Sequence, residues 1–173
     1  MIALSRLLLL ATSVTALVLP RNAAKIQADL ETLNQDYNSL KQADQSHAAG
    51  GDALSVQSAV DKVSTDTTLA TTDAKLSTTL SNSDSQAINS YISGTLEPSI
   101  KAAIQATEAN KVRVAKAGLT RAVQAELKQL KDETDALGNA LVAITLAKAG
   151  VSDLNKVFAK IDVGYDEGIT AFS

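Results

Sequence analysis

The chain has 173 residues, 45% apolar and 20% charged, with three Tyr, two Phe, one His and neither Cys nor Trp, a length that suits one compact domain with a processing segment attached. A formal charge of −3 lacks the basic excess that nucleic-acid phosphates require, so nucleic acid is not an expected partner. The absence of Cys excludes a disulfide framework, thiol catalysis and Cys-based metal sites, and the single histidine, His47, excludes a multi-His metal centre.

Residues 1–16 read as a secretory leader. Arg6 supplies the positive start, Leu7 to Ala11 the apolar stretch, and Val14-Thr15-Ala16 the small-residue cleavage site. The apolar run stops at Pro20-Arg21, short of the roughly 20 residues that span a bilayer, so no transmembrane segment is expected. That leaves residues 17–173 as the functional domain. No Asn-X-Ser/Thr sequon occurs and the carboxy-terminal residues lack the apolar tail of a lipid-anchor signal. The expected product is secreted and diffusible.

Frequent alanine favours helix throughout. The first helical stripe is Ile26, Leu30, Leu33, Tyr37 and Leu40, with Asn22 as a candidate cap and Gly50-Gly51 as its stop. The second runs from about Leu54 to Leu80 through Val56, Val60, Val63, Thr67, Ala70 and Ala74. Its second half is rich in Ser and Thr, which compete for backbone hydrogen bonds, yet it lacks the proline of a glycosylated stalk. Ser83 and Gln86 have capping-box spacing ahead of a third stripe, Ile88, Ile92, Leu96, Ile100 and Ile104. Pro98 lies inside it, and because the stripe stays in phase across the proline, one kinked helix is expected rather than two. Lys116-Ala117-Gly118 ends that helix.

Thr120 is the expected cap of a fourth helix, whose seam is Val123, Leu127, Leu130, Thr134, Leu137, Leu141 and Ile144 and which Gly150 closes. Ser152 opens a fifth, with Leu154, Phe158, Ile161, Tyr165, Ile169 and Phe172. Five one-sided helices joined by short loops bury their seams by packing together. The expected fold is therefore all-α, a single five-helix antiparallel bundle with a kinked third helix.

Catalytic chemistry is not expected. His47 sits at a helix end beside Gly50-Gly51, where an imidazole serves the last carbonyls. One histidine cannot supply a di-iron bundle's ligands. The acidic groups Asp132, Glu133 and Asp135, and Asp166 with Glu167, read as solvated helix faces, and the lysines are scattered. No cofactor, metal or catalytic residue is assigned.

Two non-enzymatic roles suit such helices: enclosing an apolar ligand, or lying on a hydrophobic surface. For the first, the ligand-binding candidates are the seam residues Leu33, Tyr37, Val63, Thr67, Ile92, Leu96, Ile100, Leu130, Thr134, Leu137, Leu141, Phe158, Ile161 and Tyr165. Hydroxyls among them (Tyr37, Thr67, Thr134, Tyr165), with Tyr91 and Thr145 nearby, are the candidate donors to a head group. Whether the seams enclose volume or pack solidly is open at this level.

The leader followed by Leu19-Pro20-Arg21, the run Ile26-Gln27-Ala28-Asp29-Leu30, the Ser83-to-Ile104 segment and Leu127-Lys128-Gln129-Leu130-Lys131 together resemble the fungal hydrophobic surface-binding protein A family, also called cell-wall galactomannoproteins. The resemblance spans about Leu19 to Phe172 and rests on helix lengths, order and small-residue texture. It implies a secreted, non-catalytic five-helix protein. Some members adsorb to hydrophobic solids and assist polyester- or cutin-degrading hydrolases; others resemble carriers that hold arachidonic or palmitic acid in a central tunnel. Unlike longer wall-attached members, this chain has no Ser/Thr/Pro-rich stalk, which favours the diffusible form. The leading expectation is a binder of long-chain fatty acids; the alternative is an adsorber to hydrophobic surfaces that recruits a secreted hydrolase.

Overall fold

In the computed structural model, residues 21–173 are described, and the expected leader lies outside them. Seven α-helices follow one another: α1 (Arg21–Ala48), α2 (Ala53–Leu76), α3 (Asn82–Tyr91), α4 (Glu97–Ala109), α5 (Lys111–Lys116), α6 (Thr120–Ala143) and α7 (Lys148–Ala171). Among the described residues extended pairing is confined to one bridge between Leu80 and Thr145, where the Leu80 amide donates to the Ile144 carbonyl at 2.8 Å. The all-α expectation is met, with seven α-helical segments where the stripes predicted five.

The difference arises in the third stripe. Between α3 and α4 the helical path widens into a π-helical turn, Ile92–Leu96, closed by the Glu97 amide donating to the Ile92 carbonyl. Pro98 follows in the first turn of α4, where its missing donor costs least. A π turn accommodates the proline without ending the helix, since an i→i+5 bond replaces the i→i+4 ladder locally. Further on, Asn110 interrupts regular bonding, so Lys111–Lys116 becomes the separate short α5 before Gly118, at φ +72°, turns the chain.

Several caps lie elsewhere than the sequence spacing suggests. Ser81, not Ser83, caps α3: its hydroxyl accepts from the Asp84 amide at 3.1 Å and donates to the Asp84 carboxylate at 2.6 Å. Thr120 is the first residue of α6 rather than its cap, and Leu119 precedes it without a side-chain bond. Gly150 and Ser152 lie inside α7, which begins at Lys148. Two tertiary contacts favour this earlier start. The Asn89 amide donates to the Gly150 carbonyl at 3.0 Å, and the bridge at Thr145 ends α6 sooner than the glycine would.

Each stripe faces inward as its periodicity requires. α1 packs on α2 and α4, α2 on α6, α6 on α7, and α7 back on α4, a closed circuit of long helices around the core. Ile26, Leu30, Leu33, Tyr37 and Leu40 of α1 meet Val63, Ile92, Leu96, Ile100, Leu130, Leu141, Leu154 and Tyr165 there, all nearly inaccessible to water. Ion pairs tie α1 to α2 (Lys25 with Asp29 and Asp73; Lys62 with Asp36 and Asp66) and α6 to α7 (Lys131 with Asp135 and Asp162). Between α2 and α6 the polar link is uncharged on one side, Ser64 donating to Glu133 at 2.8 Å. Among the described residues, no helix is long and apolar enough to cross a membrane.

Candidate functional site

At the end of the bundle where α1 finishes and α6 begins, the helices part around a cavity of about 150 Å³. Its apolar lining includes Leu40, Val56, Val60, Val114, Leu127 and Leu130, drawn from α1, α2, α5 and α6. The exposed Ala53, Gln57 and Ala122 form its outer edge. Small side chains explain why the space exists. Valine and alanine in the first turns of α2 and α6 do not reach the distance that leucine bridges deeper in the core.

Polar groups sit on one flank. Asp44 is buried and accepts from the Thr107 hydroxyl at 2.6 Å and the Asn110 amide at 3.1 Å. The same amide donates to the Asp44 carbonyl at 2.9 Å, so α4 is latched to the end of α1. Burial pushes the Asp44 carboxyl up from its ordinary value, with the Thr107 and Asn110 bonds working against it. Across the cavity, burial likewise raises the half-buried Glu126, opposed by a bond to Gln57 and reinforced by Asp61 and Asp44. His47 also lines the space; its Nδ1 lies 3.1 Å from the Gly51 carbonyl. It therefore bonds the turn beyond the helix end, where the sequence placed it near the last helical carbonyls.

The fourteen seam residues proposed from sequence are all buried. Leu130 alone among them lines the cavity; the other thirteen lie in the packed core. At its centre the Tyr37 and Tyr165 hydroxyls lie 2.6 Å apart, with Thr134 Oγ1 at 3.5 and 3.4 Å from them. Burial raises both phenols, Tyr165 well above the ordinary tyrosine value. Thr134, Thr67 and Thr145 donate to carbonyls of their own helices, those of Leu130, Val63 and Leu141. The hydroxyls thus satisfy one another and the backbone in the closed bundle.

This centre adjoins the cavity. Tyr37 and Leu40 are about 4.5 Å apart along the axis of α1, and Thr134 and Leu130 about 6 Å apart along that of α6. Asp44, Thr107, Asn110 and Glu126 were not singled out in the sequence and His47 was read as a helix-end group, although for Asp44, His47 and Glu126 a signal existed. Asp44 and His47 continue the α1 stripe at steps of four and three beyond Leu40, and Glu126 falls midway in phase between Val123 and Leu130. Polar residues on an apolar stripe mark a place where the stripe faces something other than core.

Residues 23–143 match the model of the hydrophobic surface binding protein A family. The chain belongs to that family. No curated protein matches it in sequence. Among solved structures similar to it, the crystal structure of AfMP4p in complex with palmitic acid is 32% identical, covers 87% of this chain and 99% of its own, and superposes with a TM-score of 0.81. Ligand binding domain 1 of the Penicillium marneffei MP1 protein, complexed with arachidonic acids, shares the fold at 15% identity, with 88% and 99% coverage and a TM-score of 0.79. Domain 2 of the same protein, with multiple arachidonic acids, gives 19%, 88%, 92% and 0.70. These solved structures share the helical frame of this chain.

Proposed function

We propose that this chain is a secreted, non-enzymatic carrier that holds a long-chain hydrophobic molecule, a fatty acid foremost, between the helices of its bundle. The observation that carries the reading is the largely apolar cavity between α1, α2, α5 and α6, in a chain 32% identical to a protein crystallised with palmitic acid. The leader-like residues 1–16 support secretion. Burial of each methylene contributes about 0.8 kcal/mol, so some fifteen give roughly 12 kcal/mol gross, ample for micromolar binding after association costs.

A cavity of about 150 Å³ holds only part of such a chain, being well under the roughly 300 Å³ at which ligand pockets ordinarily begin. Loading therefore widens the bundle inward from Leu40 and Leu130. The predicted seam residues, Tyr37, Thr67, Thr134 and Tyr165 among them, then line the enlarged space. Adsorption to hydrophobic solids with recruitment of a hydrolase has less behind it. The exposed large apolar residues Leu54, Leu69, Leu76, Val112, Leu119, Leu146 and Val163 are spread over α2, α5, α7 and two loops.

The test is organic extraction of the purified protein for bound lipid, followed by titration with a fluorescent fatty acid. Lipid in the extract or saturable micromolar binding is expected; absence of both rejects the carrier. Val60→Phe places a ring in the cavity mouth and should weaken the titration at least about tenfold while leaving the melting temperature unchanged or higher, as filling an apolar void does. Undiminished binding by this variant would place the ligand elsewhere.

A further inference from the structure

Apart from Gln57, whose amide is engaged by the Asp61 carboxylate at 3.0 Å, the polar lining of the cavity is made of acceptors and of donors already bonded to them. Asp44 and Glu126 are carboxylates, and the donors nearest Asp44, the Thr107 hydroxyl and the Asn110 amide, are already bonded to it. Asn110 is 2% exposed, yet its Oδ1 has no hydrogen-bond partner, an acceptor left open in a residue that lines the cavity. His47 directs Nδ1 at the Gly51 carbonyl, an acceptor, so Nδ1 carries a proton committed to that bond, and the Nδ1–H tautomer presents Nε2 as a lone pair. Among the described residues, no lysine or arginine lines the space. Around it, Asp61 on α2 adds negative field at Glu126, Lys62 is engaged by Asp36 and Asp66, and Arg113 beyond α4 turns to the Ala48 carbonyl.

A carboxylate head group entering between Asp44 and Glu126 would meet like charge and acceptors, with His47 the one basic side chain of the lining among the described residues. A hydroxyl or an un-ionised carboxyl would instead complete it, donating to Asn110 Oδ1 or to Glu126. We infer that the cavity receives the polar end of its ligand as a hydrogen-bond donor, which makes long-chain primary alcohols and un-ionised fatty acids the preferred class and ionised fatty acids poor ligands. The inference rests on the carrier reading and names which head group that carrier accepts. With a fatty acid, one proton shared between the ligand carboxyl and Glu126 satisfies both groups, so the complex takes up a proton from solution wherever the free partners are ionised.

The experiment is calorimetric titration of the full protein with dodecan-1-ol and with dodecanoic acid at pH 5 and pH 8. The alcohol should bind within a few-fold at both pH values. The acid should lose on the order of 100-fold in affinity between them, because each pH unit above its ionisation removes up to a factor of ten from the binding-competent form. Glu126→Gln, whose amide donates, should recover much of the acid binding at pH 8. In His47→Ala the acid should still lose on the order of 100-fold between pH 5 and pH 8, because the loss follows the ionisation of the acid. Dodecanoate bound at pH 8 as tightly as dodecanol would overturn the inference while leaving the carrier intact, as would disappearance of the pH dependence in His47→Ala. Failure of both probes at both pH values would instead reject the carrier and this inference together.

Discussion

Tyr37 and Tyr165 contribute to the core in two ways. Their rings fill the centre of the bundle, and their hydroxyls, 2.6 Å apart in a place water does not reach, bond chiefly to each other. A buried hydroxyl without a partner costs about 1–3 kcal/mol, whereas removal of both partners together leaves nothing unsatisfied. Tyr165→Phe leaves the Tyr37 hydroxyl only the long contact to Thr134, so a loss of about 1–2 kcal/mol is expected in urea denaturation. Tyr37→Phe should cost a similar amount. The double variant should cost clearly less than the sum of the two, a coupling of about 1 kcal/mol in the double-mutant cycle. Additive losses would mean that each hydroxyl acts independently, through Thr134 and not through the other tyrosine.

Among the elements, stripes were legible and ends were not. Steps of three and four place Ile26 to Leu40, Ile88 to Ile104 and Leu154 to Phe172 on buried faces, because burial of an apolar face dominates helix placement and is periodic in sequence. Helix starts depend on single hydrogen bonds of about 1 kcal/mol, which tertiary contacts override. The Asn89 bond to Gly150 and the Leu80 bridge settle where α7 begins, and neither partner is near the start in sequence. The candidate site was half legible for a related reason: seam periodicity finds what is buried, while a cavity is where small side chains such as Val56 and Ala122 fall short. The glycines of α6 and α7 show how distance within the bundle was hidden. A Cβ on Gly138 would stand 2.8 Å from the Phe158 ring, so this residue permits α6 and α7 to approach. Gly164, by contrast, would meet only the tip of Ile104 at 3.8 Å. Gly138→Ala should therefore destabilise by about 1–3 kcal/mol despite its better helix propensity. Gly164→Ala should stabilise by about 0.5–1 kcal/mol. Chemical denaturation of the two variants reads both signs, and stabilisation by both would show that helix propensity alone governs these positions.

At the scale of the whole molecule, the bundle places carboxyls where its helices meet, and this sets its response to pH. Burial raises Asp29, Asp36, Asp44, Asp135 and Glu126 above their ordinary values, more than the partnering lysines or hydrogen bonds lower them. A carboxyl raised by the fold binds its proton more tightly when native than when unfolded. Its contribution to stability is complete below the ordinary values of 3.8 for Asp and 4.5 for Glu, and is lost as pH climbs through the raised native value. Asp66 runs the other way, lowered chiefly by its bond to Lys62, so its contribution disappears as pH falls through its depressed native value. Five groups against one set the direction over the mildly acidic range, and the approach to a pI near 5.1 reduces repulsion among surface charges in the same sense. The urea midpoint should accordingly be higher at pH 5 than at pH 8. Asp44→Asn should flatten part of that difference, because the amide keeps the shape and removes the charge whose burial is costly. A midpoint that rises from pH 5 to pH 8 would show the lysine pairs outweighing burial at the helix junctions.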